Sequence, residues 1–185
     1  MIISKLVTYL NSLHTVSFPL NKHLRTVAQE KQYPKGYHLF KQGSMVNSCF
    51  YIAEGLIKSR YFGPDGKQFI TRFYDQNQVM LLDSFCDRHP SPEDIVLLED
   101  TTLLQISYQQ GEYLNTHFTE VSELTGKINR WDGSMHALRA KLATMPTKAA
   151  IDHFSVRFDC SRISSADLGS FLGASTRRIN QLRSN

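Results

Sequence analysis

Between residues 112 and 145 the hydrophobic side chains recur at alternating intervals of three and four residues, and this repeat strongly limits how the chain can fold. The repeat comprises Leu114, His117, Val121, Leu124, Ile128, Trp131, Met135, Leu138, Leu142 and Met145, of which only His117 is not apolar. Such spacing is the a/d pattern of a helix with one narrow apolar seam. It predicts a helix through 112–145 that is about 50 Å long, at about 1.5 Å per residue.

A seam on so long a helix cannot be buried by a small β domain alone, so we expect it to face a second copy of the chain in a homodimer. The predicted interface residues are Val121, Leu124, Ile128, Trp131, Met135, Leu138 and Leu142. The alternative is a core helix that crosses the chain's own β domain, because a/d stripes serve both arrangements. Gly126 and Gly133 weaken the helix by about 1 kcal/mol each relative to Ala, but glycines also let two backbones approach.

The segment that precedes this helix contains short runs of β-prone residues separated by turn residues. The runs cover residues 37–40, 49–53, 56–62, 68–74, 79–82, 95–98 and 102–106. Gly63-Pro64-Asp65-Gly66 is typical of a hairpin turn between the third and fourth runs. Short strands at regular spacing predict an antiparallel β-roll or jelly roll. Residues 2–13 have helical spacing and predict an N-terminal surface helix.

The C-terminal residues carry the signals of two short helices joined by a tight turn. Ser164 and Asp167 resemble a capping box at a helix start. Gly173 suits the left-handed position that ends a helix, and Ser175 can cap the next one. Gly169 would let the second helix approach the first. Together these signals predict a helix-turn-helix.

The second of these helices presents side chains that can read DNA. Residues 130–185 hold nine Lys and Arg against four Asp and Glu, whereas residues 1–129 hold 12 and 13. The predicted DNA-contacting residues are Ser175, Thr176, Arg177, Arg178, Asn180, Gln181 and Arg183. Arg can read guanine, Asn and Gln can read adenine, and hydroxyl groups can contact phosphate. These residue types predict a recognition helix in a major groove, and the alternative is an ordinary helical hairpin with a solvated basic face.

The sequence therefore predicts an α+β chain in three parts. An antiparallel β-roll with N-terminal helices covers 1–111, a dimerisation helix covers 112–145, and an all-α helix-turn-helix domain covers 146–185. Pro146 cannot continue the helix that precedes it, so a hinge is expected at 144–147.

This order of parts resembles the CRP/FNR family of bacterial transcription regulators. The resemblance rests on YPKGYHLFKQG (33–43), FYIAEG (50–55), DGK (65–67) and DLGSFLGAS (167–175). It implies an effector-binding roll whose state is passed through a dimer helix to the DNA-binding ends. The implied partners are double-stranded DNA, a second copy of the chain, an unidentified small-molecule effector and RNA polymerase. By position, Thr176, Arg177 and Gln181 match the family's base-contacting residues, and Ser175 and Arg178 match its phosphate-contacting residues.

The same resemblance argues against cyclic AMP as the effector. Members that bind it have a Gly-Glu pair for the ribose and an Arg followed by Ser or Thr for the phosphate, where this chain has Met80-Leu81 and Ser91-Pro92. A buried phosphate needs a charged or N–H-rich partner. The residues expected around a different effector are Asp83, Ser84, Arg88 and Ser91. The N-terminal cysteine cluster of oxygen-sensing members is absent, and the family's usual β-hairpin wing is not expected.

Other classes of protein find no support in the sequence. The seven histidines lack metal-ligand spacing, the three cysteines form no disulfide or cluster motif, and no phosphate-binding or nucleophile motif occurs. We therefore expect no catalytic residues, metal or cofactor, which argues against a β-barrel enzyme. No run approaches the roughly 18 apolar residues of a membrane span, so a cytoplasmic protein without membrane contact is expected. The competing function is an effector-binding dimer whose C-terminal helices bind a protein rather than DNA.

Overall fold

The computed structural model describes residues 1–184, and its centre is a roll of eight β-strands. The strands are β1 (Gln29–Tyr33), β2 (His38–Phe40), β3 (Ser48–Glu54), β4 (Leu56–Phe62), β5 (Gln68–Asp75), β6 (Gln78–Met80), β7 (Asp94–Leu97) and β8 (Thr101–Ser107). They pair antiparallel in two four-stranded sheets, in the orders β1-β8-β3-β6 and β2-β7-β4-β5. Fully buried side chains such as Val46, Ile52, Ile57 and Ile95 fill the roll. The predicted antiparallel jelly roll is confirmed.

The strand β1 has no counterpart among the predicted runs. Its sequence, QEKQY, is almost entirely polar, and its first four residues are exposed. β1 lies at the edge of its sheet and pairs only with β8. An edge strand that covers no core needs no alternation of apolar residues, so the sequence carries no period-two signal for it.

Eight α-helices surround the roll within residues 1–184. They are α1 (Ile2–Leu13), α2 (Phe18–Val27), α3 (Asp83–Cys86), α4 (Tyr108–His117), α5 (Glu120–Ala143), α6 (Thr147–Ser155), α7 (Ser165–Leu172) and α8 (Thr176–Arg183), with a 3-10 turn at Cys160–Arg162. None of these helices has the length and apolar character that crossing a bilayer requires. α5 ends and α6 begins around Pro146, where the sequence predicts a break.

The helix predicted through 112–145 is interrupted, and that prediction is wrong at Phe118. This residue is extended, with φ −131° and ψ 108°, and it ends α4. Its ring packs into the cluster formed with the N-terminal helices and lies 5.7 Å from the ring of His23. Tertiary packing of Phe118 therefore bends the chain between α4 and α5, and His117 belongs to a separate helix.

The assignment of the whole seam to a dimer interface is also corrected by the structure. Leu124 and Ile128 lie in the core that α5 forms with α1 and α2, with 4% and 6% of their surfaces exposed. Met135 and Leu142 are buried in the core shared with the C-terminal helices. Val121, Trp131 and Leu138 are half-buried against the same cores. The a/d stripe of α5 thus packs on its own chain, as in the alternative of a core helix.

The C-terminal helices share one hydrophobic core with the roll. The ring of Phe73 in β5 lies 5.6 Å from that of Phe154 in α6, 6.0 Å from that of Phe158 and 5.3 Å from that of Phe171 in α7. All four rings are almost fully buried. Pro146 therefore separates the helices along the chain, while the core continues across it.

Polar contacts hold α7 against sheet β2-β7-β4-β5. The ammonium Nζ of Lys58 donates to the carboxylate of Asp167 at 2.7 Å, and both side chains are about nine-tenths buried. The hydroxyl of Ser170 accepts from the backbone N–H of Ile70 and donates to the carbonyl of Gln68, each at 3.0 Å. These bonds fix the position of α7 on the roll, and with it the position of α8.

Candidate nucleic-acid interface and roll cavity

The helix-turn-helix is built by capping and by one left-handed glycine. The hydroxyl of Ser164 accepts from the N–H of Asp167 at 3.1 Å, and that of Ser175 accepts from the N–H of Arg178 at 3.2 Å. Gly173 ends α7 with φ 70° and ψ 23°, a backbone conformation that glycine tolerates best. These three local predictions are confirmed. The carboxylate of Asp167 binds Lys58 rather than closing the capping box.

Gly169 is the point of closest approach between α7 and the turn before α8. A Cβ atom placed on Gly169 would lie 2.7 Å from the carbonyl oxygen of Ala174 and 3.5 Å from a side-chain carbon of Ile179. Such a short contact requires the backbone to move. The predicted role of Gly169 in close helix packing is confirmed.

The outer face of α8 is exposed and polar. Ile179 is fully buried and Leu182 half-buried, which orients the helix on α7. The exposed residues on and next to α8 include Ser175, Thr176, Arg177, Arg178, Asn180 and Gln181. Within residues 1–184, the side chains of Arg177, Arg178, Asn180 and Gln181 make no hydrogen bond, so their donors and acceptors are free for a ligand.

Arg183 differs from these residues, and its assignment to DNA contact is corrected. Its guanidinium donates to the hydroxyl of Ser165 at 2.9 Å and to the carbonyls of Cys160 at 2.7 Å and Ile163 at 2.9 Å. It thereby ties the end of α8 to the turn that precedes α7. These bonds use the guanidinium within the chain and give Arg183 a structural role.

A small cavity of about 100 Å³ lies in the roll beside α3. Asp83, Ser84 and Ser91, three of the four residues expected around an effector, line it, and their role towards an effector stays a prediction. Arg88 does not line it, and this assignment is corrected. Its guanidinium donates to the carbonyl of Val46 at 2.8 Å and lies 3.9 Å from the ring centre of Tyr108.

The cationic group of this cavity is Arg72 in β5, which the sequence analysis did not single out. Its guanidinium donates to the carboxylate of Glu93 at 2.5 Å and to that of Asp132 in α5. Asp132 also accepts from the hydroxyl of Tyr74 at 2.8 Å, and Glu93 from that of Ser59. An Arg in the middle of a buried and largely apolar β-strand is a signal that could have drawn attention to Arg72.

This network is buried and charged. Burial opposes ionisation of Arg72, but Tyr74, Glu93 and Asp132 outweigh it and raise the pKa of the guanidinium. Burial likewise disfavours the charged form of Glu93, but the charge of Arg72 and the hydroxyl of Ser59 hold the pKa of that carboxyl below its usual range. The Nε of Arg72 has no hydrogen-bond partner within residues 1–184. A ligand in the cavity would therefore meet a guanidinium that is already paired with carboxylates.

Comparisons with known proteins agree with this architecture. Residues 30–114 match the family model of the cyclic nucleotide-binding domain. The fumarate and nitrate reduction regulatory protein of Escherichia coli K12 is 25% identical, over 90% of this chain and 74% of the relative. FixK2 of Bradyrhizobium japonicum has a similar fold, with TM-score 0.75 at 17% identity over 85% of this chain and 83% of FixK2. A CRP-family transcriptional regulator from Thermus thermophilus gives TM-score 0.68 at 10% identity, over 83% and 82% of the two chains.

The roll is a cyclic nucleotide-binding domain, and the C-terminal helix pair follows it along the chain. The chain therefore contains a cyclic nucleotide-binding domain, and over most of its length it resembles transcription regulators of the CRP/FNR type. Among residues 1–184, no three His, Cys, Asp or Glu side chains lie together as metal ligands would.

Proposed function

We propose that the chain is a homodimeric, sequence-specific DNA-binding transcription regulator. The observation that carries the proposal is the exposed polar face of α8, held by Gly169 and Gly173 in a helix-turn-helix. Arg177 and Gln181 are the residues proposed to read base edges, and Ser175 and Arg178 those proposed to contact phosphates. A recognition helix of this kind enters the major groove with its N-terminal residues first. A bacterial regulator that acts on the chromosome works in the cytoplasm, which is the proposed location.

The test is selection of duplexes from a random pool, followed by fluorescence anisotropy on the selected site and on a scrambled one. The double variant Arg177→Ala/Gln181→Ala should lose at least about tenfold in preference for the selected site, since a good bidentate contact gives about 1–3 kcal/mol of discrimination. The matched control is Arg25→Ala/Gln109→Ala, which changes two exposed residues outside α8. It should bind like the wild type.

Two outcomes would refute this assignment. Failure to select any duplex at low salt would favour the competing function, in which the C-terminal helices bind a protein. Equal loss of preference in the variant and its control would show that α8 does not read the bases. A fall in affinity as salt rises is expected in addition, because phosphate contacts release counterions.

The proposed dimer uses the face of α5 that remains free. The small or polar residues on that face are Ser122, Gly126, Asn129, Gly133, Ala137 and Ala140, most of them exposed and the rest half-buried. Their intervals of three and four residues give a second stripe, opposite the buried one. Residues without bulky side chains allow two α5 helices to approach closely. A long helix with such a face is suited to an isologous contact.

Light scattering tests the dimer and its interface. The wild type should have twice the 21.2 kDa mass of the chain at micromolar concentration. Ala137→Arg should shift the mass towards the monomer, whereas Lys148→Glu, at an exposed position of α6, should not. A monomeric wild type would refute the dimer, and a dimeric Ala137→Arg variant would refute this interface.

We further propose that the roll does not bind cyclic AMP. The cavity of about 100 Å³ is well below the roughly 300–1,000 Å³ of typical ligand pockets. Glu93 and Asp132 already neutralise Arg72, so an anionic phosphate would meet a net negative site. Calorimetric titration with cyclic AMP should give no saturable heat. Saturable binding at micromolar concentration would contradict the proposal.

A further inference from the structure

A second cavity, of about 270 Å³, lies outside the roll between the N-terminal helices and sheet β1-β8-β3-β6. Leu10 of α1 and Leu24 of α2 form one wall, Val79 of β6 and Ile106 of β8 the opposite wall, and Leu124 of α5 closes a third side. α3 and α4 line further sides, and the cavity stays partly open to solvent. The cavity is separate from the one beside Arg72, since the two share no lining residue.

The walls of this cavity are apolar side chains that the fold leaves partly uncovered. Four of the apolar side chains are only half-buried, although helices pack on this sheet. They are Val79, Leu81, Ile106 and Val121. Burying their remaining surface would be favourable, because it would remove apolar area from water. Protein interiors are close-packed and contain few voids larger than a water molecule. A void of this size with such walls is therefore suited to an apolar guest.

Cys49 adds to the apolar character of the wall. Burial raises the pKa of its thiol to about 12, so the group stays protonated near neutral pH. A protonated, half-buried thiol behaves as a small hydrophobic group rather than as a nucleophile. The hydrogen-bonding side chains of the lining are those of Tyr108, Glu112, Asn115 and Thr125, which are exposed or half-exposed.

We propose that this cavity binds a neutral, mainly hydrocarbon small molecule of about two to three aromatic rings in size. An apolar cavity of about 150 Å³ in another protein stays dry and binds benzene, so a cavity of about 270 Å³ has room for a larger guest. An anionic guest is disfavoured because Glu112 is the charged group of the lining. A helix from another protein, about 10–12 Å across, is too wide for a cavity walled on several sides by this chain.

The experiment is a fluorescence titration of the full chain with N-phenyl-1-naphthylamine, a neutral apolar probe. The wild type should show saturable binding of one probe per chain. Val79→Phe adds a ring inside the cavity and should weaken binding at least about tenfold, because it removes the space that the probe occupies. The matched control is Val156→Phe, at a position that is 84% exposed in the C-terminal region, and it should bind the probe as the wild type does.

Each outcome decides the proposal. Absence of saturable binding by the wild type, or equal binding by the two Phe variants, would overturn it. A Val79→Phe variant that changes the mass in light scattering but not probe binding would identify a protein interface instead and would also overturn it. If Val79→Phe does not fold by circular dichroism, Ile106→Phe on β8 replaces it with the same expected loss. The titration contains no DNA, so its result is independent of whether α8 binds a duplex.

Discussion

Asp167 offers the strongest test of how the C-terminal helices are held on the roll. Its carboxylate accepts from Lys58 at 2.7 Å and from the side-chain amide of Gln68 at 3.1 Å. The Lys58 and Asp167 side chains are only 10% and 9% exposed. Asp167→Ala would leave the ammonium of Lys58 buried without its acid. Removal of one partner of a buried ion pair costs about 3–5 kcal/mol.

The expected result is a fall of about 3–5 kcal/mol in the free energy of unfolding, measured by urea denaturation. For a chain of this size the melting temperature should fall by roughly 6–20 °C, at about 2–4 °C per kcal/mol. Asp152→Ala is the matched control, because Asp152 is exposed on α6. It should change stability by no more than about 0.5 kcal/mol.

A double variant separates the ion pair from the packing around it. Lys58→Met/Asp167→Leu replaces both charges with apolar groups of similar length, and such replacements are often neutral or stabilising. It should therefore recover most of the stability that Asp167→Ala loses. If Asp167→Ala were as stable as Asp152→Ala, the inference that this buried pair docks α7 on the roll would be refuted.

Three further predictions follow from single contacts. Gly169→Ala should destabilise the chain by about 1–3 kcal/mol, since the new Cβ meets the carbonyl of Ala174; unchanged stability in urea would contradict it. Folding lowers the pKa of the Glu93 carboxyl group. Ionised Glu93 therefore stabilises the folded chain at pH values above the ordinary carboxyl pKa of about 4.3. This stabilisation is lost as the pH falls through the lower pKa of the folded state. Glu93→Gln should therefore flatten the loss of stability between about pH 5 and about pH 3 in thermal melts, and an unchanged slope would exclude Glu93 as its source. Arg183→Ala should lower the free energy of unfolding by about 1–3 kcal/mol, because hydrogen bonds to backbone carbonyls are lost. The preference for the selected duplex should persist. If that preference were lost while stability stayed unchanged, Arg183 would contact DNA after all.

Local signals predicted the parts of the structure that local chemistry decides. The hairpin between β4 and β5 and the turn at Gly173 follow from residues that favour one backbone conformation, and both are present. The bend at Phe118 was not predictable in this way, because packing against the N-terminal helices decides it. The surface that packs against the apolar stripe of α5 was also not predictable. An a/d pattern predicts that a helix has an apolar face, but it does not say whether the same chain or a second copy covers that face.

The charged residues at the roll cavity could not be predicted from the sequence, because they are far apart along the chain. Arg72, Glu93 and Asp132 lie on β5, the loop before β7 and α5, and the fold alone brings them within bonding distance. Spacing along the chain gives no sign of that meeting. The residues of α8 were found because capping serines, a turn glycine and polar side chains all lie within 22 residues of the sequence.

The reading of a DNA sequence by α8 can be measured with two duplexes and one variant. Fluorescence anisotropy compares the affinity for a selected duplex with that for a scrambled duplex, for the wild type and for Arg177→Ala/Gln181→Ala, at two salt concentrations. We expect a clear preference in the wild type, its loss in the variant, and weaker binding of both duplexes at the higher salt. Equal affinity of the wild type for the two duplexes, or an undiminished preference in the variant, would show that α8 does not read the sequence.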